Sequence, residues 1–440
     1  MKYDTFFSLC KEKGIEEAEL TIFNSYSVSI SLFHSEIDEY TINSDTSIVA
    51  RGIINGQCAT STTDTLNKTT VKKLVEDLIS NASLLESEDK TEIFKGSDKY
   101  HRVNTYNPEL DKVPLQDKIN KLYDLEKLIK EKDERIVDIS GVAYSESKET
   151  STIINSHGLK VSQKRNYYVY SGYAVAKQNE QTKSGGDVFI SNDFSKFDVD
   201  DLAKKIVDET IKQLGGHPCK SKKYKAVLSN DVVSMILGSY ISNACADEVQ
   251  KGSSLFINKL NTQVASKKLT VIDKPIVKNI FASKFDDEGV AAYNKPIIKN
   301  GVLLTYLHNL VSAKKAGVTT TGNAKKSGGK MVTSPLFLSV KPGKKTLEQL
   351  LEKMGNGVYI TDVSGLHAGL NPQSGNFSLQ STGFLVENGK ITHGLDVITV
   401  SGNLLDLFKD IVDVGNDVKL TLRGNETPSL LIKKLIVSGE

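Results

Sequence analysis

The sequence has few cysteines and no long apolar run. Cys10, Cys58, Cys219 and Cys245 lie far apart and form no CxxC pair, so we expect reduced thiols in a reducing compartment. No stretch approaches the ~20 apolar residues of a membrane span. Residues 1–14 alternate between charged and apolar types, unlike a signal peptide. These absences together predict a cytoplasmic protein.

The sequence also lacks an excess of either charge sign. Lysine and arginine total 56 and aspartate and glutamate total 54, a formal net charge of +2. A duplex-binding domain usually shows a basic stripe or a high isoelectric point, so the near balance argues against direct contact with DNA. We interpret the short lysine clusters beside predicted turns as solvated loops: Lys220, Lys222, Lys223 and Lys225, and Lys341, Lys344 and Lys345.

Common catalytic motifs are missing as well. The chain has no GxSxG elbow, no GxxxxGK[ST] phosphate loop and no GxGxxG nucleotide fingerprint. None of its seven histidines lies three or four residues from another, so no helix presents a paired metal-binding face. His367 stands alone in a glycine-rich loop, where a hydrogen-bonding or surface role is favoured over a metal ligand. Cys245 has no histidine near it in sequence, which favours an inert buried thiol.

Three consecutive acids precede a glycine at Asp286, Asp287 and Glu288. Carboxylate oxygens suit magnesium or calcium, but the spacing of an EF-hand is absent. A charged turn before a strand is therefore the favoured interpretation, with a cation site as the alternative.

Hydrophobic periodicity predicts the same element order twice in the first half of the chain. Apolar residues recur at helical spacing over residues 4–13, 70–84, 115–130 and 199–214, and alternating stretches between the helices of each pair predict strands. A polar connection, residues 85–114, separates the two units. We infer an internal duplication, with the helices on one face of an antiparallel sheet.

A glycine-rich break at residues 215–218 predicts a domain boundary. The fold class is predicted as α+β, with a duplicated N-terminal domain at residues 1–220 and a mainly β C-terminal domain at residues 221–440. Within the second domain, the pattern predicts a helix with Asn230 or Asp231 as its cap and an end at about Glu248, and another over residues 347–354. The tail, residues 401–408 and 417–422, continues a pattern of strands and turns.

The most distinctive stretch covers residues 361–390. It begins as a loop with Gly365, Gly369 and Gly375. A strand follows, in which Phe377 and Leu379 point to one face. An Asn-Gly hairpin turn ends it. A plain surface loop between sheets is the alternative to a functional one.

Several blocks in this half resemble the TldD/PmbA peptidase family. They occur in the family's order and cover about residues 225–419, whereas the first domain fits in element order only. The blocks are FDDEGV at 285–290, KNGVL at 299–303, TGNA at 321–324, GLHAGLNP at 365–372, SGNFS at 374–378, VENG at 386–389 and SGNLL at 401–405.

The family that this resemblance points to has two branches, which differ in the residues of one helix. The TldD branch carries an HExxxH helix and a downstream cysteine that together bind zinc. Aligned back from residues 251–254, the three key positions of this chain are Leu237, Gly238 and Ser242, and no cysteine follows Asn416. The pattern therefore resembles the PmbA/TldE branch, and we predict no metal and no catalytic residue in this chain.

The resemblance further implies a partner. A TldE-type chain pairs with a TldD-type chain, which supplies the zinc, to form a zinc-dependent peptidase for small or unfolded peptides. For the chain alone, a homodimer and a monomer both stay open. The alternatives are a regulatory binding protein, as the older family label modulator of DNA gyrase suggests, and a stand-alone peptidase with an unrecognised site. Candidate residues bordering a peptide cleft are His367, Asn371, Ser374, Phe377 and Asn403.

Overall fold

The first half of the chain contains two copies of one helix–strand–helix unit. A computed structural model describes residues 3–85, 91–327 and 329–440. The first unit comprises α1 (Asp4–Glu12), β1 (Glu17–Phe33), β2 (Glu36–Ile54), β3 (Gln57–Thr63) and α2 (Lys68–Ser83). The second comprises α3 (Leu115–Lys132), β4 (Ile136–Asn155), β5 (Lys160–Gln178), β6 (Gln181–Ser191) and α4 (Val199–Ile211). The predicted duplication of element order is confirmed.

The six strands form one antiparallel sheet in the order β3-β2-β1-β4-β5-β6. β1 and β4 pair at its centre, which relates the two units by an approximate twofold axis normal to the sheet. Alternate side chains of β1 face the helices. Leu20 and Ile22 pack in the core under α1 and α2, and Val28 and Ile30 pack in the core under α3 and α4.

A long connection joins the two units, as predicted. Residues 91–109 contain no helix or strand, and a 3-10 turn at Leu110–Lys112 leads into α3. Residues 86–90 of the predicted connection lie outside the described residues.

The second half is mainly β, as predicted for the fold class. Its first elements are β7 (Lys222–Leu228), α5 (Asn230–Ile241), α6 (Ala246–Gln250), β8 (Val271–Asp273), β9 (Lys295–Lys299), β10 (Val302–Leu303), α7 (Leu310–Ala316), β11 (Ala324–Ser327), β12 (Lys330–Thr333) and β13 (Leu338–Val340). The rest are α8 (Leu347–Met354), β14 (Gly357–Ser364), α9 (Leu366–Gly369), β15 (Asn376–Glu387), β16 (Lys390–Asn403), α10 (Leu404–Lys409), β17 (Ile411–Val414), β18 (Lys419–Thr421), β19 (Asn425–Thr427) and β20 (Leu430–Ser438).

Two six-stranded sheets enclose the core of this half. One has the order β16-β15-β14-β7-β20-β17, and an additional pairing of β16 with β20 closes five of its strands into a barrel. The other has the order β10-β9-β8-β13-β19-β18. α5 contacts strands of both sheets, and its apolar residues belong to the same core. The division of the chain at residues 220 and 221 stays a prediction.

The helix predicted with Asn230 or Asp231 as its cap is in fact capped one residue earlier, and it ends well before the predicted Glu248. Its N-cap is Ser229, whose hydroxyl accepts the N–H of Val232 at 3.2 Å. The helix ends at Ile241, and a 3-10 turn separates it from α6. The Asn243 side chain donates to the carbonyl of Ser239 at 3.2 Å, so it competes for an acceptor that a continuing helix would use.

The predicted strand-and-turn pattern at residues 401–408 is also corrected. Asn403 ends β16 and caps α10, because its side-chain oxygen accepts the N–H of Leu405 at 3.0 Å. Within the described residues, none of the helices is both long and apolar enough to cross a membrane.

Candidate functional site

The three positions aligned with the family's metal ligands lie at the end of α5. Leu237 is fully buried in the core, and Gly238 beside it is exposed. Ser242 lies just beyond the helix and donates its hydroxyl to the Ser239 carbonyl at 2.9 Å. Zinc in proteins is held by thiolate, imidazole or carboxylate. The leucine side chain, the glycine and the serine hydroxyl, which already donates a hydrogen bond, therefore provide no suitable zinc ligand.

The described residues near these positions provide no substitute set of metal donors. Across residues 3–85, 91–327 and 329–440, no group of three His, Cys, Asp or Glu side chains is placed to hold a metal. Cys245 follows the turn after α5 and is buried, as expected, and burial raises its pKa to about 12.

The glycine-rich loop between β14 and β15 forms a tight turn. The Asn371 side-chain oxygen accepts the N–H groups of Gln373 and Ser374 at 3.0 and 2.9 Å. Asn403 donates to the Ser374 carbonyl at 2.8 Å and to the Asn376 side chain at 2.9 Å. Three of the five predicted cleft residues, Asn371, Ser374 and Asn403, are therefore brought together in one turn.

The other two predicted cleft residues have different surroundings. Phe377 is largely buried, and its ring lies so close to Gly402 that a Cβ there would be 3.1 Å from the ring. Phe377 and Asn403 line one groove of about 190 Å³. His367 lies exposed on α9.

The turn lies beside the end of α5. Gly375 has a φ of +74°, and a Cβ added there would be 2.9 Å from the Leu255 side chain. The N–H of Leu255 donates to Asn243 at 2.7 Å, next to Ser242. β15 is paired with β14 and β16 on its two sides, so a peptide strand could meet only the preceding loop. The role of these residues in a peptide cleft stays a prediction.

A second cluster of polar groups, missed from the sequence, joins the two halves of the chain. Asp286 and Glu288 form the predicted charged turn, yet they are only 1% and 0% exposed. Three backbone N–H groups donate to the Asp286 carboxylate, from Glu288 and Val290 at 3.0 Å and from Ala324 at 2.8 Å. The sequence pattern cannot show this burial, because the groups that cover these acids come from distant segments.

The N-terminal sheet supplies the other side of this charge cluster. Arg51 on β2 donates to Glu19 on β1 at 3.1 Å, with both side chains buried. Lys326 on β11 reaches across to donate to Thr21 at 2.5 Å. Within the described residues, one carboxylate oxygen of Glu19 and one of Glu288 are buried without a hydrogen-bond partner. We define Glu19, Arg51, Asp286, Glu288 and Lys326 as the interdomain charge cluster.

Burial changes the acid–base properties of this cluster. Burial and the neighbouring Glu288 raise the pKa of Asp286 to about 8, although three backbone N–H groups act in the opposite direction. Burial likewise raises the pKa of Glu288 to about 7 against the attraction of Arg51. Burial lowers the pKa of Lys326. Asp286 and Glu288 therefore keep their protons in the folded protein at pH values at which the unfolded chain has released them.

Stability is expected to fall as the pH rises from about 4.5 to about 8. A raised pKa in the folded state means that stabilisation is full below the unfolded pKa and is lost as the pH passes the folded pKa. Glu288→Gln removes one of the two acids and should match the wild type at pH 5. At pH 8 it should be more stable by on the order of 2–3 kcal/mol.

Urea denaturation at pH 5 and pH 8 measures this difference. Glu76→Gln on the exposed face of α2 is the matched control, and it should show no pH-dependent gain. Equal stability of Glu288→Gln and wild type at pH 8 would show that Glu288 is ionised at no cost in the folded protein.

Comparisons with known proteins cover nearly the whole chain. Three family models match, described as PmbA/TldA metallopeptidase domain 1 at residues 18–82, central domain at residues 108–214 and C-terminal domain at residues 221–439. The metalloprotease PmbA homolog of Haemophilus influenzae is 27% identical over 97% of this chain and 93% of that protein.

Solved structures agree with these matches. A Thermotoga maritima protein described as a modulator of a DNA gyrase superposes with a TM-score of 0.93 at 32% identity, covering 99% of each chain. TldE from Thermococcus kodakarensis has the same fold, with a TM-score of 0.90 at 22% identity over 100% of each chain. The duplicated sheet, the barrel with α5 and these matches together place the chain in the PmbA/TldD family of metallopeptidases.

Proposed function

We propose that this chain is the TldE/PmbA-type subunit of a two-chain, zinc-dependent peptidase for small or unfolded peptides. A TldD-type chain would supply the zinc and the catalytic groups. The single observation that carries this proposal is the fully buried Leu237 at the first aligned ligand position, followed by Gly238 and Ser242. These residues give zinc no ligand, although the family is one of metallopeptidases.

The contribution of this chain would then be to shape the cleft. Zinc held by the partner would activate a water molecule for peptide hydrolysis. The turn at residues 371–376 lies beside the end of α5, as the contacts through Leu255 and Asn243 support. The Asn371 side chain holds this turn through two N–H groups, so it can position the exposed loop against a bound peptide.

The test is reconstitution with the TldD-type chain of the same organism. The lone chain should bind no stoichiometric zinc and cleave no unfolded peptide. The pair should form a stable complex that cleaves such a peptide, and a chelator should abolish the cleavage. Zinc and chelator-sensitive peptidase activity in the lone chain would overturn the proposal in favour of a stand-alone peptidase. Complex formation with a topoisomerase and no proteolysis would favour a regulatory role.

Asn371→Ala is expected to reduce peptide cleavage by the reconstituted pair by about tenfold or more, because a released turn misplaces the loop. The measurement is the initial rate of peptide cleavage at equal complex concentration. Asn120→Ala makes the same change on the exposed surface of α3, where the side chain bonds only to Gln116 in the described structure, and should leave the rate unchanged. Equal cleavage rates for the two variants would show that the loop does not border the peptide cleft.

A further inference from the structure

Half of β2 is a bare sheet edge. β3 pairs with β2 only from Ile48 to Ile54. Among the described strands, residues 36–46, which we call the free β2 edge, are therefore paired with β1 alone. In the described part of the chain, no other backbone hydrogen bond reaches them. Eleven residues of strand present about 37 Å of unpaired backbone groups, and an edge of this length can pair with another chain.

The second unit shows the equivalent edge in a covered state. β6 pairs with β5 only from Tyr168 onward, which leaves residues 160–167 in the place of the free β2 edge. There the N–H of Asn166 donates to the Thr105 carbonyl at 3.1 Å. Gln163 donates to the Ala282 carbonyl at 2.7 Å and accepts the N–H of Lys284 at 2.8 Å. The duplicated fold thus provides cover for one edge from its own chain, and the other edge has none among the described residues.

Apolar side chains accompany the bare edge. Ile37, Tyr40 and Ile42 are 47%, 50% and 49% exposed. They pair across the sheet with Leu32, Ile30 and Val28, which are buried under α3 and α4. The row of apolar side chains that is buried on β1 therefore continues onto the free β2 edge, where its side chains are exposed to solvent. A contiguous exposed apolar stripe of this kind is typical of an interaction surface.

The negative charge of the free β2 edge restricts which kind of strand can pair with it. Glu36, Asp38, Glu39 and Asp45 lie on it, and no lysine or arginine occurs between residues 14 and 50. Pairing this edge with the same edge of a second copy would bring acids of one strand against acids of the other, which is unfavourable. A strand that carries lysine or arginine would instead gain attraction and faster association.

We propose that the free β2 edge is the docking site for a lysine- or arginine-bearing strand of the partner chain, which joins the sheet next to β2. Its apolar side chains would cover Ile37, Tyr40 and Ile42, and its backbone would satisfy the unpaired groups, as in other cases of strand addition. The identity of the occupant as the TldD-type chain rests on the proposed function.

The first test is amide hydrogen exchange on the lone chain and on its complex with the purified TldD-type chain. Amides of residues 36–46 should become protected in the complex. The dissociation constant of Tyr40→Thr/Ile42→Thr should rise at least about tenfold, because buried aromatic anchors dominate interface energies. Threonine keeps the preference for strand conformation. Val137→Thr and Ile391→Thr, at strand positions 55% and 47% exposed, are the matched controls and should bind like wild type.

Charge reversal gives an independent measurement. Glu39→Lys/Asp45→Lys should slow association and weaken its dependence on salt. Glu76→Lys/Glu131→Lys, on the exposed faces of α2 and α3, adds the same charge elsewhere and should have a smaller effect. Equal effects of the two charge-reversed pairs would overturn the charge argument and with it the choice of a basic strand.

The outcomes separate this docking site from the proposed function. If wild type does not bind the TldD-type chain at all, the proposed function fails. If wild type binds, but the amides of residues 36–46 stay unprotected and Tyr40→Thr/Ile42→Thr binds equally well, the docking site fails and the proposed function stands. Protection of these amides only on self-association of the lone chain would overturn the choice of occupant.

Discussion

Arg51→Met is expected to lower the free energy of unfolding by about 3–5 kcal/mol. The Arg51 side chain is 5% exposed, and its guanidinium donates to Glu19 at 3.1 Å, inside the interdomain charge cluster. It also attracts Glu288, whose pKa it acts to lower against the effect of burial. Methionine fills a similar volume and leaves both acids without their cation. An uncompensated buried charge costs more than a missing surface ion pair.

Urea denaturation at pH 7 measures this loss. Arg135→Met is the matched control, because Arg135 pairs with Asp133 at 2.7 Å while its side chain is 35% exposed, and it should cost less than about 1 kcal/mol. The triple variant Arg51→Met/Glu19→Gln/Glu288→Gln should recover most of the loss, since it removes the unpaired charges. A loss within 1 kcal/mol for Arg51→Met would show that water reaches the cluster.

Elements that depend on short-range chemistry were predictable from the sequence. Five apolar residues of α2 form one buried face: Val71, Leu74, Val75, Leu78 and Ala82. Asn55-Gly56 and Asn388-Gly389 form hairpin turns, and all four residues have the positive φ that such turns need. In each case a few neighbouring residues contain the whole signal.

Elements that depend on distant partners were predicted less well. Residues 145–149 are all polar and show no apolar alternation that would predict a strand, yet they pair with β1 on one side and β5 on the other, so β4 is one continuous strand. Backbone pairing does not require apolar side chains. The burial of Asp286 and Glu288 depends in the same way on Arg51, Lys326 and backbone N–H groups from distant segments.

In the candidate site, too, features carried by short motifs were predictable, whereas contacts between distant residues were not. Motif comparison located Leu237, Gly238 and Ser242 at the end of α5, and it located the loop that holds Asn371 and Ser374. It could not show that Phe377 packs against Gly402, because that contact joins two paired strands. Nor could it show that residues 36–46 form a bare edge, since alternation along one strand does not indicate how far its neighbour extends.

Leu237→His, which restores the first aligned metal ligand, is expected to destabilise the chain by about 3–5 kcal/mol. Leu237 is 0% exposed, so the change removes apolar burial and places an imidazole without a partner in the core. Urea denaturation with and without zinc measures the effect. A ligand that binds only the folded state raises its stability. Zinc should give no such gain here, because Gly238 and Ser242 add no imidazole, thiolate or carboxylate.

Gly238→Ala, at the next residue of the helix, is expected to raise the stability of the chain instead of lowering it. A Cβ added at Gly238 meets no atom of the described residues within 4 Å. Alanine is a better helix former than glycine, so this variant should be more stable than wild type by about 0.5–1 kcal/mol. A Leu237→His chain as stable as Gly238→Ala, or one that zinc stabilises, would mean that the end of α5 can open to a metal. In that case the chain would no longer need a partner to supply the zinc.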